Sequence, residues 1–281
     1  MEHYLIIDVP KKGVKDKSLG SAMHLSVLLT SFPSPFAEAV RQAMELGFAH
    51  VDVVAEVARC QDDLEVLADS GLLVACAAVG RGLPEGWEVD AAGAEIRRQV
   101  LDRLKRQIED AARLGATHAY LVPGNDATAD GLAKFGELCS ILADFAGDRM
   151  IRCCVEHVPG RALPTAAAAL AWLKKLGHPN LRLLLDVGHC LISCEDPSEI
   201  IVAAGDSLGY VHFDDNDGVQ DCHWPLLTGC LTHALLERLF SAFGQVGYDS
   251  PVALELQAQN PDVVTALDHN KRLLERLIHR A

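Results

Sequence analysis

Eight short apolar runs, each followed by a segment with helical periodicity, predict a (β/α)8 barrel. Two further observations agree. The alternation fills about 250 residues, the size expected of such a barrel. The runs are continuously apolar rather than alternating, as parallel strands covered by helices should be. A doubly wound open sheet is the rival, but no G-x-G-x-x-G follows the first run.

The runs are HLSVLLTS (24–31), HVDVVA (50–55), LLVACAAVG (72–80), HAYLVPG (118–124), IRCCVEH (151–157), LRLLLDVGH (181–189), LGYVHFDD (208–215) and PVALELQ (251–257). Between them, FAEAVRQAMELG (36–47) ends in the glycine expected just past a helix. The segment 92–115 carries Ile96, Val100, Leu104, Ile108, Ala111 and Leu114 at spacings of three and four, and stops at Gly115. DPSEIIVAAGD (196–206) opens with an N-cap aspartate and a proline in the first turn. TAAAALAWLKKLG (165–177) and residues 261–281 read as helices too. With no linker or composition break, residues 24–281 are expected to form one domain. Residues 1–23 fit the pattern poorly. They read as an added leader, with Met23 a natural start, or as an extra strand plugging the barrel floor.

Composition narrows the function classes. The apolar fraction of 49% and charged fraction of 23% are those of a globular protein, and no run reaches the roughly 18 apolar residues that span a bilayer. The N-terminus lacks a basic segment leading into an apolar one, so cytoplasm is the expected compartment. A net charge of −14 argues against a nucleic-acid surface and suits a cation-binding pocket. The nine cysteines lack C-x-x-C spacing, and those in apolar contexts (Cys76, Cys153, Cys154) read as small buried hydrophobes.

In a barrel of this kind, chemistry collects at the C-terminal ends of the strands. The first four runs end with little that ionises. The last four end on Glu156, Asp186, His212 and Glu255. Any one buried acid would be read as a capped or salt-bridged structural residue. Three carboxylates converging without a counter-charge would repel strongly, and a divalent cation removes that cost. Three oxygens and one imidazole suit Mn²⁺ or Mg²⁺ well and Zn²⁺ or Co²⁺ acceptably. His189, three residues after Asp186, is expected on the rim, with Gly188 turning the backbone away. Asp221 and His223 share one side of an extended segment, where they would bind substrate, hold a second metal or simply be solvated. His157 has the opposite strand parity from Glu156 and stays outside the ligand set.

These motifs, VE156HVP, D186VGH189, H212FDDNDG with D221CH223, and E255 in ALELQ, resemble the xylose-isomerase-like TIM barrels over roughly residues 24–281. That superfamily holds sugar isomerases and epimerases, hydroxypyruvate isomerases, ketose 3-epimerases and apurinic-site endonucleases. The resemblance implies that Glu156, Asp186, His212 and Glu255 hold one divalent metal, that Glu156 and Glu255 serve as the acid/base pair, and that His189 binds substrate oxygens. It implies a small sugar or polyol substrate turned over by proton abstraction next to a carbonyl. The endonuclease branch, a phosphodiester hydrolase, carries metal-binding histidines after its third and fourth strands. Those places here read ACAAVG and YLVPG, although Asp221 and His223 match another of its ligand pairs and leave room for a second ion. A dehydratase would need the same residues. The arginine that ketose 3-epimerases place after the histidine of the seventh strand is missing before Gly229, and Arg161 above the fifth strand is the candidate anion-binding group. The expected partner is a small molecule rather than a membrane or nucleic acid, with self-association left open.

Overall fold

In the computed structural model, which describes residues 23–260 and 262–280, strands alternate with helices, two helices standing between the sixth and seventh strands. The reading of residues 1–22 as a leader or floor strand lies outside the described residues. The elements are β1 (Leu25–Leu28), α1 (Phe36–Glu45), β2 (His50–Val54), α2 (Gln61–Ser70), β3 (Leu73–Ala78), α3 (Ala94–Arg113), β4 (His118–Leu121), α4 (Ala129–Gly147), β5 (Arg152–Glu156), α5 (Ala166–Leu176), β6 (Leu181–Asp186), α6 (Val187–Ile192), α7 (Pro197–Ala204), β7 (Leu208–Phe213), α8 (His233–Val246), β8 (Val252–Leu254) and α9 (Val263–Ile278). All eight strands pair in parallel with their sequence neighbours, and β8 returns to β1 to close the barrel. This is the (β/α)8 architecture read from the sequence.

Helix starts follow local chemistry. The side chains of Thr128, Thr165, Asp196 and Thr232 each accept a hydrogen bond from an otherwise unpaired backbone N–H of α4, α5, α7 and α8. Among the described residues, no helix is long and apolar enough to cross a membrane.

Strand parity divides the apolar residues into two cores. Outward-facing side chains such as Val27, Val53, Leu121, Val155, Leu185 and Val211 pack under the helices. Inward-facing ones, including Leu28, Cys76, Tyr120, Cys154, Leu184, Tyr210 and Ala253, fill the barrel as a separate plug. This plug positions the site. Residues two apart on a strand share a face. Glu156 therefore stands above Cys154, Asp186 above Leu184, His212 above Tyr210 and Glu255 above Ala253. All nine cysteines are free. Five are buried as expected, while Cys60, Cys194 and Cys230 are exposed and Cys222 is half-buried.

Candidate metal centre

Glu156 and Asp186 are the last residues of β5 and β6, and His212 is the penultimate residue of β7. Glu255 follows β8 directly, its backbone N–H donating to the Phe213 carbonyl at 3.1 Å. One donor atom from each of the four lies within 4.8 Å of the other three. Nδ1 of His212 is 2.7 Å from Glu255 Oε2, 3.4 Å from Glu156 Oε1 and 3.9 Å from Asp186 Oδ2. Despite this closeness, neither nitrogen of His212 makes a hydrogen bond among the described residues, and Asp186 Oδ2 also lacks a partner there. Buried polar atoms left unpaired are costly.

The local fold explains how Asp186 is held. Its Oδ1 accepts the His189 backbone N–H at 2.7 Å, capping α6, while Oδ2 is left for the cluster. Edge-on contacts with Tyr120 and Tyr210, at 5.1 and 5.7 Å, orient the His212 ring. Burial drives the Asp186 carboxyl well above its ordinary range, and the neighbouring Asp214 adds to the effect. Burial also opposes charge on Glu255, but the facing His212 brings its carboxyl down to about 2.

A divalent cation fits this donor set. Ligand atoms around an ion at bond lengths of about 2.1 Å stand about 3 Å apart and point at the ion rather than at one another. Close approach without hydrogen-bond angles is what such a shell produces. Glu156, Asp186, His212 and Glu255 would hold the ion.

Beside it lies a second group, Asp214, Asp221 and His223. His223 turns both ring nitrogens to carboxylates, Nδ1 to Asp214 Oδ2 at 2.9 Å and Nε2 to Asp221 Oδ1 at 3.2 Å. Burial opposes protonation of His223, but the two acids raise it far above its ordinary value. Asp221 also reaches His189 Nε2 at 3.3 Å. Asp214, overlooked in the D-D-N-D run, is fully buried and accepts the Gly188 N–H at 2.9 Å.

The expected position of His189 needs correction. It is buried in the first turn of α6 rather than standing on the rim, and its Nδ1 donates to the His157 carbonyl at 2.8 Å. Gly188 is helical and provides no turn. It is small because a Cβ there would lie 2.2 Å from Asp214 Oδ1. His157, held neutral by burial with its pKa down at about 3, accepts the Asp186 N–H at 3.3 Å and stays outside the donor set. Arg161 is exposed and spends its guanidinium on Asn125 at 2.9 Å, and it is absent from the lining of the central cavity.

The first four strands contribute more than their last residues suggested. Asp52, in mid-β2, is buried beneath His212. It accepts from Ser26 at 2.6 Å and from the Tyr210 hydroxyl at 2.7 and 2.9 Å. Burial outweighs these bonds and raises its carboxyl to about 6. Arg81, just past β3, lines the central cavity with Tyr120. A charge inside an apolar strand was the available signal for Asp52.

The sequence profile of the xylose isomerase-like TIM barrel matches residues 40–277. The chain belongs to this family. Within the family, a ketose 3-epimerase of Arthrobacter globiformis is 31% identical over 203 residues, which cover 67% of this chain and 65% of that enzyme. The chain thus spans just under two thirds of that relative. A D-psicose 3-epimerase of Agrobacterium fabrum is 24% identical over 200 residues, 65% of this chain and 68% of its own. The crystal structure of a Methylomonas D-allulose 3-epimerase in complex with D-allulose shares the fold, with a TM-score of 0.76 at 19% identity over 93% of this chain and 98% of that one.

Proposed function

We propose that this barrel is a divalent-metal-dependent epimerase or isomerase of a small sugar. The observation that carries the reading is the convergence of Glu156, Asp186, His212 and Glu255 at the strand ends, with unpaired buried donor atoms turned inward. When bound, the ion supplies positive charge to a carbonyl and its neighbouring hydroxyl, which acidifies the hydrogen on the carbon between.

The chain's own groups then move the proton. Glu156 and Glu255 both face the His212 ring, at 3.4 and 2.7 Å, and come from strands β5 and β8 that do not neighbour one another. Glu255 is held ionised by His212 and is ready to accept a proton at a carboxylate oxygen. Glu156 is the group that returns one. Transfer from opposite faces inverts the carbon, whereas one carboxylate used twice moves the carbonyl. His189, anchored through Nδ1, turns Nε2 toward Asp221, where it would bind substrate oxygens. The inner plug of Tyr120, Leu184 and Tyr210 closes the floor beneath these groups against water.

A second reading, phosphodiester hydrolysis with two or more ions, draws on Asp214, Asp221 and His223. Both nitrogens of His223 already face carboxylates, so an imidazolium there offsets one of the two acid charges without an ion. This ranks the hydrolase second.

Elemental analysis of the purified protein, paired with proton exchange in heavy water across a ketose panel, tests the proposal. One tight ion per chain with incorporation of deuterium next to the carbonyl is the expected result. Two or three ions with phosphodiester cleavage and no exchange would overturn it.

A further inference from the structure

Across from the donor cluster, a cavity of about 310 Å³ is bounded by Glu255 and His223 on the metal side and by Asp52, Val54, Ala78, Arg81 and Tyr120 on the other. Among the described residues, Arg81 is the one arginine or lysine in that lining. Its guanidinium lies against the hydroxyl of the buried Tyr120 and within the field of Glu156 and Glu255. Among the described residues, no carboxylate forms an ion pair with it. A guanidinium offers five N–H donors in a planar fork. Most of them are unspent here.

The backbone beneath Arg81 is fixed. Gly80, at φ +85°, makes the turn out of β3. Gln107 reaches up from α3 with only 1% of its surface exposed. Its Oε1 accepts the Gly80 N–H at 2.9 Å, while its Nε2 donates to the Arg81 carbonyl at 3.1 Å and the Ala55 carbonyl at 2.9 Å. Arg103 donates to the Gly82 carbonyl at 2.9 Å. A buried amide is costly unless fully bonded. This one is bonded entirely to backbone groups around the turn, and so presents Arg81 from a rigid platform.

Charge accounting defines the ligand. The carboxylates of Glu156, Asp186 and Glu255 with one divalent ion leave a single negative charge, which Arg81 balances. A neutral polyhydroxy chain keeps this balance, whereas a carboxylate or phosphate adds charge that the other cation in the described lining, His223, does not meet because Asp214 and Asp221 already flank it. We infer that Arg81, supported by Tyr120, grips hydroxyl oxygens of the substrate remote from the reacting carbonyl, and that the substrate is a neutral ketose long enough to carry them. Arg81 thereby takes up the sugar-holding role that the loop after β7 lacks an arginine to fill. This inference rests on the epimerase reading.

The test uses the full-length, metal-loaded protein and measures deuterium incorporation next to the carbonyl by NMR. The substrates are dihydroxyacetone, which has no distal hydroxyl chain, a ketohexose and its sugar-acid counterpart. In the wild type the ketohexose is preferred to both others. Arg81→Gln lowers the ratio of kcat/KM for ketohexose over dihydroxyacetone by about tenfold to a hundredfold, the range of a charge-assisted hydrogen bond, with KM carrying most of the change. Arg81→Lys recovers part of it. If Arg81→Gln lowers both substrates in proportion and the ratio holds within about twofold, Arg81 only supports the fold and the inference is overturned while the epimerase reading stands. A wild-type preference for the sugar acid overturns it as well. A wild type that exchanges none of the three defeats the epimerase reading and this inference together.

Discussion

Replacing Gly188 by alanine tests whether the second acidic group is locked to the first. Helix propensity alone favours alanine by about 1 kcal/mol. The structure predicts the opposite sign. The new Cβ would sit 2.2 Å from Asp214 Oδ1 and 2.7 Å from Asp214 Cγ, so the carboxylate must retreat. Retreat breaks its 2.9 Å bond from the Gly188 N–H and disturbs the contact with His223. Overpacking costs about 1–3 kcal/mol, and loss of a hydrogen bond to a buried charged group costs about 1.5–3 kcal/mol. Net of the propensity gain, Gly188→Ala should destabilise by about 2–5 kcal/mol. In a domain of this size that is a fall in Tm of about 5–15 °C. Urea unfolding followed by circular dichroism reads the free energy directly. A variant as stable as the wild type, or more stable, would show that Asp214 is free to move and that the close packing described here is wrong.

Glu156→Gln should leave the circular dichroism spectrum intact and lower proton exchange by about 10²–10⁴-fold, and a near wild-type rate would remove Glu156 from the acid/base pair. Tyr210→Phe strips both hydroxyl contacts from the buried Asp52 and should cost about 1–3 kcal/mol in urea unfolding, with a loss under about 0.5 kcal/mol counting against the network. Burial lowers His118 from its ordinary 6.5 to about 3. Between those pH values the unfolded chain binds a proton that the folded chain refuses, so this contribution to stability is intact above pH 6.5 and is lost progressively on acidification toward pH 3. His118→Gln should flatten the acid limb of a pH series of urea midpoints by a few kcal/mol, and an unchanged slope would refute the assignment.

The strands were legible because a parallel barrel buries both faces of each strand, and residues such as those of CCVE and LLLD had nowhere else to go. Glu156, Asp186, His212 and Glu255 were legible for a related reason. Each interrupts an apolar run at the end where such barrels carry their chemistry. Asp52 escaped because attention to final residues ignores strand tilt, which brings the middle of β2 beneath the end of β7. Arg81 escaped because it belongs to a turn whose direction is set by Gln107, 26 residues downstream in sequence. In the D-D-N-D run, spacing could not tell which aspartate faces inward. The contact between Asp214 and Gly188 decides it, and that contact depends on the packing of β6 against β7. For His189, Gly188 suggested a backbone that turns away, whereas the pressure on that position is steric.

The donor cluster is drawn from the ends of β5 to β8, while the wall across the cavity comes from β1 to β4 and the turn that follows β3. The halves meet where Tyr120 touches His212 and Asp52 holds Tyr210, so the turn after β3 is the part of that wall that varies without disturbing the cluster. Under the proposed epimerase reading, exchanges in that turn retune which sugar is recognised without touching Glu156 or Glu255, so a variant carrying a relative's turn after β3, with Asp52 and Tyr120 kept, should retain proton exchange and adopt the relative's selectivity.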